Sequence, residues 1–198
     1  MYKKYGKRVF DIVGSGVGGL LLLPLMIVVA LWIKLSSGGP IFYVQKRVGK
    51  NFKEFNLYKF RSMIVDADQI GPFVTSGDDP RITKVGKIIR KTKIDELPQL
   101  INVFKGEMSL VGPRPEVMKF VKQKKEAYAL VLSVKPGITD SAAIAFRDEE
   151  SIMEQYEDKE KAYLDIVLPQ KIKLYREYID NISLQTDLVL LLKTLKVI

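Results

Sequence analysis

From Ile12 to Ile33 the chain reads IVGSGVGGLLLLPLMIVVALWI, without one charged side chain. No other stretch restricts the fold as much. A helix of that length would run about 33 Å, enough to cross the hydrocarbon core of a bilayer. The hydrophobic region of a cleaved signal peptide is usually about 7–15 residues, so this longer run is expected to stay attached. Pro24 falls in its middle, where it removes one backbone hydrogen bond at a cost of about 3 kcal/mol in a helix interior. Lys3, Lys4, Lys7 and Arg8 precede the run, and Lys34, Lys46, Arg47 and Lys50 follow it. Basic residues favour the cytoplasmic side, so positive flanks at both ends fit a segment that enters and leaves by one face. A bend at Pro24 would allow that re-entrant path; a kinked single-pass helix is the alternative.

The remaining composition limits the chemistry. The chain has 198 residues, is 47% hydrophobic and 10% aromatic, and so has enough apolar material for one modest domain beside the anchor. Its net charge of +9 calls for an anionic partner: nucleic acid, phospholipid or a phosphorylated substrate. There is no cysteine and no histidine. Thiol catalysis, thiolate metal sites and the usual imidazole base are therefore excluded, and acid, base or nucleophile work falls to Asp, Glu, Lys, Tyr or Ser.

SSGGP at Ser36 to Pro40 marks the boundary between an anchor over residues 1–36 and a globular part over 37–198. The next stretch, IFYVQKRVGKNFKEFNLYKFRSM, alternates apolar and polar residues about Gly49 and Asn51 and reads as a short β-hairpin. TSGDDPRITKVGKIIRK, INVFKGEMSLVGPRPE and VKPGITDSAA mix Gly, Pro and Asp with Arg and Lys, the composition of a loop-rich site. Helices are expected on both sides of Pro169. At the end of the chain Leu188, Leu191, Leu192 and Leu195 form one helical face, suited equally to core packing and to a membrane interface.

Two adjacent carboxylates stand in the basic stretch RKTKIDELPQL. Leu97, Leu100, Ile101 and Phe104 predict a helix beginning near Asp95, with Pro98 in its first turn and Asp95 at or near the N-cap. Asp95 and Glu96 are then a cap and a dipole-favouring charge paired with lysines, or a fixed ionised carboxylate able to attack phosphorus. On either reading the helix start and the neighbouring cations are expected to keep both ionised. Lys59 and Arg61 in YKFRSM, Arg81 in DDPRIT, Arg90, and Arg114 in SLVGPRPE supply cations suited to phosphate oxygens, with Pro113 and Pro115 stiffening the backbone that aims Arg114. Asp95 and Glu96 also offer oxygen ligands for Mg²⁺.

Taken in order, KRVFDIVGS, GGPIFYVQKRVG, YKFRSM, DDPRITKVGKIIRKTKIDELPQLINVFKGEMSLVGPRPE and VKPGITD resemble the bacterial sugar transferase family, the monotopic polyprenyl-phosphate phosphoglycosyl transferases. The pairing of DELPQL with GEMSLVGPRPE is the most specific part. The resemblance covers nearly the whole chain and implies the small form of the family, without the extra membrane helices of larger members. It implies transfer of a sugar 1-phosphate from a UDP-sugar to undecaprenyl phosphate, with Mg²⁺, on the cytoplasmic face of the bacterial inner membrane. It further implies attack by Asp95 on the sugar-bearing phosphate, release of UMP, assistance by Glu96, and an anchor bent at Pro24. The implied fold is α+β and mainly helical: a re-entrant membrane helix, then a compact domain with a short hairpin and interfacial amphipathic helices. Leu23 stands where many members carry Ser, and PGITDSAA lacks the Gly and Trp that often follow the Thr.

The expected partners are the UDP-sugar, undecaprenyl phosphate and membrane phospholipid, with no nucleic acid; a homo-oligomer is compatible with the sequence and not specified by it. Two other readings remain. A tethered basic protein could bind anionic lipid or nucleic acid without catalysis, its binding weakened by salt. A metal-dependent glycosyltransferase could use DAD at Asp66 to Asp68 as a DxD-like string and would release UDP.

Overall fold

The computed structural model describes residues 1–71 and 79–197. The first part of TSGDDPRIT therefore lies outside the described residues. The described chain is α+β and mainly helical. A π turn at Tyr2–Gly6 leads into α1, Lys7–Ser37, which continues through Pro24 and is the one described helix long and apolar enough to cross a membrane. It stops inside SSGGP, where Gly38 and Gly39 take φ of +57° and +71°, a region that favours glycine.

Both ends of α1 lie against the same body. Asp11 and Ser15 are buried near its start, and Val29 and Ile33 near its end, where they pack with Phe60, Val85 and Ile89. Leu20, Leu21, Leu23 and Pro24 between them are exposed. Gly14 brings the backbone close to the domain, since a Cβ there would meet Leu110 Cδ1 at 2.5 Å.

The expected hairpin forms. β1 (Phe42–Val48) pairs antiparallel with β2 (Glu54–Phe60), Phe42 opposite Phe60 and Val48 opposite Glu54. Asn51 and Phe52 take φ of 56° and 61° to close the turn. Next come α2 (Ala67–Ile70), α3 (Lys84–Lys91, capped by Thr83 Oγ1 accepting from the Gly86 amide), a 3-10 turn at Ile94–Glu96, and α4 (Gln99–Lys105). β3 (Ser109–Val111) then runs parallel to β4 (Gly137–Thr139), with α5 (Met118–Gln123) and α6 (Lys125–Val131) as the crossover. The sequence reading treated both strands as loop.

Asp140 caps α7 (Ser141–Ala145), which leads to α8 (Glu149–Glu154). The separate helices expected around Pro169 are instead one helical run: α9 (Lys159–Ala162), a π turn at Tyr163–Val167, and α10 (Leu168–Asp180). Pro169 has no N–H to donate back, and the wider turn just before it carries the run past the missing bond. In α11 (Leu184–Val197) the packed side is marked by Asp187 and Leu190, while Leu188, Leu192 and Leu195 are exposed. The leucine face read from the sequence is therefore mostly not core. One apolar cluster joins α5, α6 and α10 around Phe120, Tyr128 and Leu168; a second joins β2, α4, β3 and α11 around Leu57, Val103 and Leu190.

Candidate active site

The turn that presents the carboxylates is set by local backbone chemistry. Lys93 takes φ of 54°, and the following amides close 3-10 bonds: Glu96 N to Lys93 O and Leu97 N to Ile94 O, both 3.1 Å. Pro98, which has no N–H to satisfy, occupies the N-cap of α4. The expectation of Asp95 at that cap is thus corrected. Its side chain is released from capping and stands with Glu96 in the wall of a cavity of about 1490 Å³.

Although adjacent, the two carboxylates differ electrostatically. Asp95 is buried, and its Oδ1 has no hydrogen-bond partner among the described residues. Burial raises its pKa above the usual carboxylate range, against the pull of Lys59; the charge on Glu96 raises it further, while Arg90 and Lys93 oppose it. Glu96 is also buried, which alone would raise it, but the charges of Arg114 and Lys59 and their hydrogen bonds hold it well below the usual range. Lys59 Nζ donates to Glu96 Oε1 at 2.9 Å. Arg114 closes a fork, Nη2 on Oε1 and Nη1 on Oε2 at 3.2 Å. The helix start and the neighbouring cations were expected to lower both pKa values; Glu96 is lowered, whereas burial raises Asp95 against the cations.

Arg114 reaches this position because of β3 and β4. Gly112 N donates to Thr139 O and Gly137 N to Pro113 O, both 2.9 Å, so the backbone is pinned on either side of the turn. Pro113 acts through that carbonyl and does not line the cavity.

The remaining expected cations divide. Lys59, Arg61, Arg81, Arg90 and Arg114 all line the cavity. Arg61 is buried, and its Nη2 donates to Ser37 Oγ at 2.7 Å and to the Gly38 carbonyl, tying down the end of α1. Its Nε and Nη1 are buried without a partner among the described residues. Arg81 is committed to Asp79, Nε to Oδ1 at 2.9 Å and Nη2 to Oδ2 at 2.6 Å, and to the Ala67 carbonyl at 2.8 Å. Arg81 thus lines the cavity with its fork held by Asp79 and its side chain 8% exposed. Arg90 sits in the last turn of α3 and lowers the pKa of Asp95.

Several cavity residues escaped the sequence reading. Lys171, Glu149 and Tyr175 line it, and Lys171 Nζ is paired with Glu149. Asp140 is not in the cavity lining and is fully buried; one oxygen accepts from the Ala143 amide at 2.9 Å and the other has no partner among the described residues. Burial pushes its carboxyl up to about 6, against the Ala143 bond and the charges of Arg114 and Lys171. The only signal for it was an Asp directly before a helix in PGITDSAA.

Mg²⁺ can be tested against the donors present. Among the described residues no group of three acidic side chains gathers as a metal cage. Asp66 and Asp68 also line the cavity, with Asp66 at the start of α2. Both oxygens of Glu96 are taken by cations, so of the adjacent pair it is Asp95 that has an open oxygen. Mg²⁺ commonly binds one or two carboxylates together with substrate phosphates and water, and Asp95 fits that use.

Comparison with known proteins places this geometry in context. A family model described as Bacterial sugar transferase matches residues 2–198. The UDP-N-acetylgalactosamine-undecaprenyl-phosphate N-acetylgalactosaminephosphotransferase of Aeromonas hydrophila is 39% identical over 197 residues, covering 97% of this chain and 43% of that protein. The UDP-glucose:undecaprenyl-phosphate glucose-1-phosphate transferase of Escherichia coli is 42% identical over 166 residues, 81% of this chain and 36% of that protein. Exopolysaccharide production protein ExoY of Rhizobium meliloti is 33% identical over 204 residues, 96% of this chain and 83% of that protein. The chain thus spans less than half the length of the first two relatives.

Proposed function

The chain belongs to the bacterial sugar transferase family, and on that premise we propose that it moves a sugar 1-phosphate from a UDP-sugar to undecaprenyl phosphate in two displacements at Asp95. The observation that carries this reading is the buried, unpartnered Oδ1 of Asp95 beside the Lys59, Glu96 and Arg114 clasp. A carboxylate with no hydrogen bond to break and a desolvated charge is a strong nucleophile toward phosphorus.

In the first displacement an Asp95 oxygen bonds to the phosphorus that carries the sugar. The bond from that phosphorus to the bridging oxygen breaks, and UMP leaves with the electron pair. In the second, an oxygen of the polyprenyl phosphate attacks the same phosphorus and Asp95 departs as carboxylate. The product is a polyprenyl diphosphate sugar. Lys59, Arg90 and Arg114 offset the charge of the phosphates, Arg114 by its fork and Lys59 as a point charge. Glu96 stays ionised and orients both Lys59 and Arg114. Mg²⁺, held by Asp95 and the donor's phosphates, would neutralise the departing charge.

The membrane seat belongs to the same proposal. The two ends of α1 touch one domain and carry basic flanks, which supports a re-entrant anchor with residues 37–198 on the cytoplasmic face of the inner membrane. The exposed apolar side chains of α1 and α11 would meet phospholipid. UDP-sugars are cytoplasmic, so both substrates can reach Asp95 there.

Product analysis tests the reaction. With UDP-sugar, polyprenyl phosphate and Mg²⁺, the nucleotide released is expected to be UMP. Release of UDP would mean that the sugar moves alone, as in a metal-dependent glycosyltransferase, and would overturn the proposal.

A further inference from the structure

The first turns of α1 carry two polar side chains for which the transfer itself has no use. Asp11 is buried, and its Oδ1 accepts from Ser109 Oγ at 2.8 Å and from the Leu110 amide at 2.9 Å. Arg8 donates to the Val103 and Phe104 carbonyls at the end of α4, each at 2.7 Å, filling acceptors that a helix C-terminus leaves open. Taking a carboxylate out of water onto a largely apolar helix costs free energy that a hydrophobic contact would avoid. If packing were the only need, an apolar residue would hold α1 against the domain more cheaply. The carboxylate adds direction, because its acceptor geometry fixes where β3 lies.

β3 is held along both edges. On one side β4 and its approach take the amides at either end, Ser109 N on Pro136 O at 2.8 Å and Gly112 N on Thr139 O at 2.9 Å. The Leu110 amide points the other way and is taken by Asp11. Tyr178 Oη lies 3.1 Å from the Val111 carbonyl. Arg114 leaves this strand after only Gly112 and Pro113, so a shift or tilt of β3 is passed to its fork. At the same time Arg8 holds the far end of α4, whose near end follows Asp95 and Glu96.

We propose that Asp11 is a positioning residue for the transfer reaction: through Ser109 and Leu110 it fixes the lie of β3, and so the place where the Arg114 fork meets Glu96 and the donor's phosphates. This rests on the reading of the cavity as a phosphoglycosyl transfer site. The seating of the anchor and the shape of the site are then one structural unit.

The test is a double-mutant cycle on the full chain in one detergent, with kcat/KM measured for the parent, Asp11→Asn, Asp11→Ala, Arg114→Lys and the Asp11→Ala, Arg114→Lys pair. Asp11→Ala is expected to lose about 30-fold, within the range that a misplacement of about 1 Å costs. Asp11→Asn keeps an acceptor oxygen for Leu110 and is expected to stay within about fivefold of the parent. The paired variant is expected within about threefold of Arg114→Lys alone, because misplacing a fork already lost adds little. Parent-like activity in Asp11→Ala, or a pair whose loss is the product of the single losses, would reduce Asp11 to general support of the fold and overturn the proposal. Should Asp11→Ala not be recovered folded, Ser109→Ala enters the same cycle, where coupling to Arg114 supports the proposal and additivity overturns it. A parent without turnover would fail the underlying reading of the site, whereas an active parent with an additive cycle fails this inference alone.

Discussion

At Asp95 the charge that the proposed attack requires is also a cost to the fold, because burial raises its pKa and Oδ1 has no partner among the described residues. A folded pKa above the unfolded one means that the favourable contribution is complete below the unfolded value of about 3.9 and is lost as pH rises through the folded value. Asp95→Asn is therefore expected to unfold at a higher temperature than the parent at pH 7, a gain that shrinks toward low pH, while turnover falls by at least about 10³-fold. Retained turnover in a folded Asp95→Asn protein would remove it as nucleophile. The same shift raises the acid limb of the kcat/KM profile of the parent above the ordinary carboxylate range. Glu96 has the opposite sign. Its folded pKa is lowered, so its contribution is present above the unfolded value of about 4.3 and is lost as pH falls through the folded one. Glu96→Gln leaves Lys59 and Arg114 facing a neutral group and is expected to cost about 3 kcal/mol in denaturant unfolding at pH 7. An unchanged midpoint would show that the clasp contributes no stability. Arg114→Lys keeps the charge but loses the fork, and is expected to lower kcat/KM at an unchanged melting temperature.

Among the elements, the β3 and β4 pair places the site most directly, and it tolerates no side chain at its tightest point. A Cβ on Gly137 would lie 2.1 Å from the Gly112 nitrogen, a backbone atom that cannot swing aside. Gly137→Ala is expected to cost about 3 kcal/mol, read by thermal unfolding, and to lower turnover because the backbone that aims Arg114 must move. A stable and active Gly137→Ala protein would refute that role. The hairpin was legible in the sequence because its alternation runs over seven residues in each strand about Gly49 and Asn51. β3 and β4 have three residues each, too few for a period to show, and their pairing is a tertiary fact. The continuous run through Pro169 escaped for a related reason, since a π turn leaves no mark in composition. In the site itself, Asp95, Glu96, Lys59 and Arg114 could be picked out by charge and company. Their division into an unpartnered acid and a clasped one depends on burial, which the local sequence does not encode. Arg81 and Arg114 each close a fork on one acid, and they differ in burial, the Arg81 side chain being 8% exposed and that of Arg114 36%, which the sequence does not encode.

For the whole molecule, the sequence points to Pro24 for a bend in the anchor, whereas in the structure several contacts tie the start of α1 to the domain. Lys7 Nζ reaches Asp187 Oδ2 at 2.6 Å, and Arg8 and Asp11 join α4 and β3. Single cysteines introduced as Tyr2→Cys and Asn51→Cys in this cysteine-free chain are expected to stay protected from an impermeant thiol reagent on intact spheroplasts. Because of those ties, Pro24→Ala is expected to leave Tyr2→Cys protected as well. Labelling of Tyr2→Cys from outside would show that α1 spans the bilayer. The central claim, however, is that a sugar phosphate passes through Asp95 on its way to the lipid, and it is tested most directly by trapping that state. The full chain in a lipid bilayer is incubated with a panel of UDP-sugars and Mg²⁺ but no polyprenyl phosphate, and its peptides are mapped by mass spectrometry. The account predicts a sugar-phosphate adduct on the peptide containing Asp95, formed together with UMP, discharged when polyprenyl phosphate is added, and missing from Asp95→Asn. Lipid product formed by the parent with no adduct at Asp95, and formed equally by Asp95→Asn, would contradict it.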